Sequence, residues 1–167
     1  MRAPARCRHR GVTRIEFVSA LALLAVFGGC LLERLADYEE LAEKTMVDLT
    51  IGSIRDGIRH ELIRSLLDGQ DVAPMQWLER NPLHWSLRPP GSYMGEVAKW
   101  PQALQPGAWY FIKDGGMLVY VPRRQRHLSV VSDTPTRLSW HLVPSGSKGF
   151  ARLEAVRIEA HPPFSWF

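Results

Sequence analysis

Arg10-Gly11-Val12-Thr13-Arg14-Ile15-Glu16-Phe17 opens a run of apolar and small residues that continues to Leu32, and the reading of this stretch decides the fold. Phe17 to Leu32 gives about 16 residues, or roughly 24 Å as a helix, a little short of a hydrocarbon core of about 30 Å. A helix begun at Val12 has about 21 residues and is long enough to span. Glu16 lies just inside it. A carboxylate costs roughly 2.5–3.5 kcal/mol at the centre of a membrane helix and less near its end, so Glu16 is expected to have a partner and a purpose. Arg2, Arg6, Arg8 and Arg10 precede Gly11 with no acidic residue among them. That bias keeps the amino end in the cytoplasm and exports the rest.

A basic leader ending in glycine, with glutamate five residues on and an apolar helix behind it, resembles the class III signal of type IV pilins and type II secretion pseudopilins. The resemblance implies cleavage after Gly11 by a prepilin peptidase and methylation of the new amino terminus at Val12. It further implies that Glu16 docks each subunit onto the amino terminus of a neighbour in a filament. Two positions depart from the family pattern. Val12 stands where Phe or Met is usual, and Arg14 where an apolar residue is usual. Arg14 cannot face Glu16 on a helix, because residues two apart do not meet, and its stem is long enough to snorkel toward head groups.

Three other readings compete for the same stretch. An ordinary cleaved signal peptide lacks its A-x-A-like site here, and Glu16 interrupts its start. A lipoprotein signal is suggested by Phe27-Gly28-Gly29-Cys30, but Leu31-Leu32-Glu33-Arg34-Leu35 continues a helical pattern where a tether belongs. A plain signal anchor makes Glu16 incidental. It would leave residues 1–11 in place and give a periplasmic binding or scaffolding domain that never polymerises.

The net charge of +4 for 167 residues does not describe a nucleic-acid binder. Four of those charges precede Gly11, and 4 − 4 leaves the remainder near neutral, so the basic excess is an orientation signal. Of the two cysteines, Cys7 is in the leader and Cys30 in the apolar run. No disulfide can then close within the region after Cys30, where many major pilins carry one. Its absence fits a pseudopilin or minor pilin better.

Helical periodicity continues beyond Leu32. Leu35, Tyr38, Ala42, Met46, Leu49, Ile54, Ile58, Leu62 and Leu66 form an apolar stripe. Glu33, Asp37, Glu40, Lys44, Asp48, Arg55 and Arg59 fall between them and are expected to face outward. Gly69 is the expected stop. A continuous helix from Val12 to Leu67 would measure roughly 80 Å. Gly52 and Gly57 each weaken it by about 1 kcal/mol relative to Ala and are expected to mark close packing or a bend.

From Gln70 to Pro106 the chain is rich in proline and tryptophan, an irregular connection in which Trp77–Leu83 is expected to form a short helix. Trp109–Lys113, Asp114-Gly115-Gly116 and Met117–Val121 read as a hairpin with a glycine turn. Both of its faces are apolar, which predicts a central position with the helix on one side. Further strands are expected at His127–Val131, Thr136–Val143 and Phe150–Ala160, the last two joined through Pro144–Gly149. The expected class is α+β, a long helix packed on a small antiparallel sheet. The boundaries are a leader at 1–11, a membrane half-helix at 12–32, a periplasmic half-helix at 33–69 and a periplasmic region at 70–167.

No catalytic constellation emerges, and the chain is read as a non-enzyme. His60, His84, His127, His141 and His161 have neither zinc-motif spacing nor a cysteine partner, so no metal or other cofactor is expected. His127, Ser129 and Asp133 lack the strand–turn–helix context of a nucleophile. Asp114 alone is too little for calcium, which takes six to eight oxygens. Arg123-Arg124-Gln125-Arg126-His127 is the one basic patch beyond the leader. It reads either as a solvated loop or as a contact, through Arg123, Arg124 and Arg126, with acidic partner subunits or head groups. The resemblance implies as partners the prepilin peptidase, other pilin or pseudopilin subunits, an inner-membrane assembly platform and the bilayer. No small-molecule substrate is expected, and nucleic acid is disfavoured because no aromatics interleave the patch.

Overall fold

Thr13 and Glu16 open the first element by capping each other's backbone. In the computed structural model, which describes residues 13–69, 76–101, 103–130, 137–145 and 156–167, helix α1 runs Arg14–Leu67 without a break over 54 residues. The start expected at Val12 thus shifts to Arg14. Gly52 does not interrupt it, and no neighbour stands within 4 Å of where its side chain would be. Gly57 differs: a Cβ there would lie 1.8 Å from the Trp85 carbonyl oxygen. That glycine lets the Pro82–Trp85 segment lie directly on the helix, beside a contact of 3.1 Å between the Ser53 and Ser86 hydroxyls. The helix stops as expected, with Gly69 at φ +66° and the Asp68 and Gly69 N–H groups donating to Arg64 and Leu66 carbonyls.

Cα packing divides the chain into two units, Met1–Glu39 and Glu40–Phe167. In the first, residues 14–39 are helix, and its large apolar side chains, Phe17, Leu24, Phe27 and Leu32 among them, are exposed. An 18-residue window there has a mean hydropathy of 2.2, long and apolar enough to cross a membrane.

The second unit is an α+β layout. Val47, Ile51, Ile54, Ile58 and Leu62 recur every three or four residues and are buried. They pack with Trp109, Leu118, Tyr120, Trp140, Leu142 and Ile158 of the sheet. Burying one such aliphatic side chain contributes about 1.5–3 kcal/mol. The first part of the expected stripe is corrected: Leu35, Tyr38, Met46 and Leu49 are exposed, and Glu40 is buried in their stead. On an α-helix Ala42, Met46 and Leu49 stand opposite Val47, Ile51 and Ile54, so two apolar stripes exist and only one meets the sheet.

The sheet holds five strands in the order β1-β2-β3-β5-β6. They are β1 Tyr93–Val97, β2 Trp109–Ile112, β3 Met117–Tyr120, β5 Leu138–Pro144 and β6 Val156–Ala160. The predicted hairpin is β2–β3, its turn at Gly115 and Gly116 with φ of +99° and +60°. All pairings are antiparallel except β1–β2, which is parallel, and this corrects the wholly antiparallel expectation. Parallel neighbours need a crossover. Here the chain between Val97 and Trp109 supplies it, laying Leu104 and Val97 on the second apolar face of Ala108, Tyr110, Ile112, Val119 and Val121.

Two further expectations are corrected. The short helix at Trp77–Leu83 is instead a 3-10 turn at Pro82–Trp85, capped by Asn81 Oδ1, which accepts from the Leu83 N–H at 3.0 Å. Strand β4, Leu128–Val130, leaves the main sheet and pairs with β7, Phe164–Trp166. Residues 150–155 of the last expected strand lie outside the described residues, as does most of the Pro144–Gly149 loop.

Candidate functional site

Gly11 and Val12 lie outside the described residues. The structure does place Glu16, the third residue of α1. Its Oε2 accepts from the Thr13 N–H at 2.9 Å and the Thr13 hydroxyl at 3.0 Å, while the Glu16 N–H donates to Thr13 Oγ1 at 3.3 Å. This is a capping box, in which two of the helix's unpaired N–H groups are satisfied reciprocally. The carboxylate also complements the positive end of the helix dipole. The Thr13-x-x-Glu16 spacing before an apolar run was the available signal, and the filament reading of Glu16 had overlooked it. Arg14 is exposed.

The basic loop is not simply solvated. Its main chain is held by two carboxylates one turn apart on the core side of α1. Glu43 Oε1 accepts from the Tyr120 hydroxyl and the Arg123 N–H, both at 2.7 Å, and Oε2 accepts from the Arg124 N–H at 3.2 Å. Glu40 Oε1 accepts from the His127 N–H at 2.9 Å and the Trp166 indole N–H at 3.0 Å. Its Oε2 lies 3.0 Å from His127 Nδ1. The His127 ring stacks on Phe167 with centroids 4.5 Å apart. Glu40 is thereby the common anchor of the β3–β4 loop and the β4–β7 ribbon.

The electrostatics follow from these contacts. Glu40 is 1% exposed. Burial works to raise its pKa, but the His127 N–H, the His127 ring and the Trp166 indole together hold it below the ordinary carboxylate value. The Tyr120 phenol is pushed up, first by burial and then by the adjacent Glu43 carboxylate. Arg123, Arg124 and Arg126 have exposed side chains, and the Arg123 guanidinium crowds Gly107, where a Cβ would lie 2.1 Å from its Nε. Sequence reasoning placed Glu40 outward and missed Glu43, Tyr120 and Trp166. Glu40 and Glu43 sit seven and four residues before Val47, on the buried stripe, and that spacing was the missed clue.

His127 is engaged by Glu40, while Asp133 lies outside the described residues. A second polar cluster, where Glu96 Oε1 accepts from Asn81 at 3.0 Å and Oε2 meets Lys113 Nζ at 3.0 Å, is internally paired. Among the described residues, no group of three or more His, Cys, Asp or Glu side chains is placed to hold a metal ion. Cys30 is exposed on α1. No family model matches the chain, and neither does any curated protein or solved structure.

Proposed function

We propose that this chain is a pseudopilin or minor pilin: a non-catalytic, single-pass inner-membrane subunit, amino end cytoplasmic and α+β unit periplasmic, that assembles into a filament. The observation that carries the reading is the outer face of α1. A helix apolar enough to cross a membrane is expected to turn polar once it leaves, except on the side that meets its own core. Here Met46 and Leu49 remain 63% and 64% exposed on the side turned away from the sheet, whereas Asp56 and His60 occupy that side further on. An apolar helix face without a partner is what a neighbouring helix would cover. The Gly11–Glu16 motif supplies the processing signal, with a prepilin peptidase, other subunits, an assembly platform and the bilayer as partners.

Intact mass and amino-terminal sequencing of the protein from its native membrane test the reading. The expected chain begins at N-methylated Val12. A chain beginning at Met1 would leave the second reading, a signal-anchored periplasmic scaffolding domain, which the capping box favours because it accounts for Glu16 locally.

The two roles of Glu16 separate by substitution. Glu16→Gln keeps a capping side chain, since glutamine serves at this position, but removes the charge that would neutralise a neighbour's α-amino group. Thr13→Ala removes the box and keeps the charge. In a subunit-incorporation assay Glu16→Gln is expected to impair assembly severely and Thr13→Ala to leave it largely intact. Normal incorporation of Glu16→Gln would reduce Glu16 to a helix cap.

A further inference from the structure

The two edges of the five-stranded sheet are unlike. β1, at one edge, is irregular: its register shifts between Tyr93 and Glu96, and Gly95 sits at φ +107°. Such a bulge blunts an edge against pairing. β6, at the other, pairs with β5 through five consecutive residues from Val156 to Ala160 with no register shift. Among the described residues no strand pairs its outer side.

Along β6 runs an open groove of about 340 Å³. It touches four consecutive β6 residues, Val156 to Glu159, and on the other side Arg55, Ile58 and Arg59 of α1. Consecutive strand residues point to opposite faces, so a groove touching all four follows the strand's edge rather than a face. Ile58, Val156 and Ile158 are buried and make its floor apolar. Its rim carries Arg55, Arg59 and Arg157 against Glu159, three cations to one anion. Arg55 and Arg59, one helical turn apart, form no ion pair among the described residues. Arg157 donates to Ser145 Oγ at 2.9 Å.

We infer that the outer edge of β6 and the arginine-rimmed groove beside it bind an extended acidic segment of another protein by strand addition. Backbone pairing to β6 supplies affinity and the arginines select acidic side chains, the usual division of labour in edge recognition. An added strand lies about 4.8 Å from its neighbour and offers it unpaired backbone groups, whereas an α-helix has spent its backbone N–H and C=O groups on itself and can pair none of them with β6. A second copy of this chain, pairing through its own β6, would bring to this edge a strand with a single acid, Glu159, two residues from its own Arg157. Apart from Glu96 of the bulged β1, its other exposed acids among the described residues lie on α1 or in turns, which makes it the poorer occupant. The inference goes beyond the proposed function and needs neither processing at Gly11 nor a filament.

The full chain in detergent micelles is titrated with an acetylated, amidated hexapeptide alternating glutamate and valine, followed by backbone amide NMR. Saturable, salt-weakened binding is expected, with the largest shifts in Val156–Ala160. Arg55→Glu combined with Arg59→Glu changes two exposed side chains and is expected to weaken binding by about tenfold or more. The same peptide with alternate amides N-methylated keeps its charge and is expected to lose binding. Each of three results would overturn the inference: no binding up to millimolar peptide, equal binding by the N-methylated peptide (an anion or head-group site), or indifference to the double substitution. Self-association of the unliganded chain that the double substitution abolishes would assign the groove to a second copy and overturn it as well.

Discussion

Glu16 and Glu40 lie on the same helix and do opposite things. Glu16 is exposed and, among the described residues, bonds only to Thr13, three residues away. Glu40 is buried and gathers donors from 87 and 126 residues further along the chain. The first is a local device that begins a helix, leaving the carboxylate near the surface of whatever surrounds it. The second is a global device that ties two distant segments to the helix and leaves no spare surface. Position on the helix therefore says little about a carboxylate's role; what it faces decides.

The largest effect is expected at Glu40. Glu40→Ala leaves the His127 N–H and the Trp166 indole N–H without their acceptor in a buried site. Each buried unsatisfied donor costs about 1–3 kcal/mol. A loss of about 3 kcal/mol is expected in urea unfolding of the full chain followed by tryptophan fluorescence. A loss below about 1 kcal/mol would mean that the ribbon and loop are held by their apolar contacts alone.

The same residue makes stability depend on acid. The folded-state pKa of Glu40 is depressed, so the unfolded chain takes up its proton first as pH falls. The contribution of Glu40 is complete above its ordinary value of 4.5 and is lost progressively as pH drops through the folded value. Wild type and Glu40→Gln are therefore expected to differ most near neutral pH and to converge in acid. A difference that stays constant from pH 7 to pH 3 would show that the carboxylate's charge contributes nothing.

How legible these features were in the sequence tracks how local they are. The apolar run, the helix end at Gly69, and the β2–β3 hairpin with its glycine turn are patterns within a few residues, and all can be read directly. The stripe of Ile54, Ile58 and Leu62 is equally clear. It fails further back because two apolar stripes overlap between Leu35 and Leu49, and periodicity cannot say which one meets a sheet that lies later in the chain. β1 was hidden by Gly95 and by the surrounding prolines, and β4 was placed in the wrong sheet because its partner β7 is a three-residue strand beyond the last expected one. The Glu40 and Glu43 anchors were illegible for a deeper reason: charge in a helix is ordinarily solvated, and only the arrival of Arg123, His127 and Trp166 makes burial of these carboxylates favourable.

The smallest expected effect sharpens the comparison from the other end. Thr13→Ala removes the cap hydroxyl, a loss typically of about 1 kcal/mol, and frees the Glu16 side chain. Because the box touches nothing beyond the first turn among the described residues, the loss is expected to stay there. Amide hydrogen exchange of the full chain in micelles is expected to rise at Ile15, Glu16 and Phe17 while the amides of Val47 to Leu62 keep their protection. Faster exchange that spread into the Val47–Leu62 stretch would couple the two ends of the helix. A signal at the membrane end could then reach the sheet through the backbone alone, and Glu16 would no longer be the purely local member of the pair.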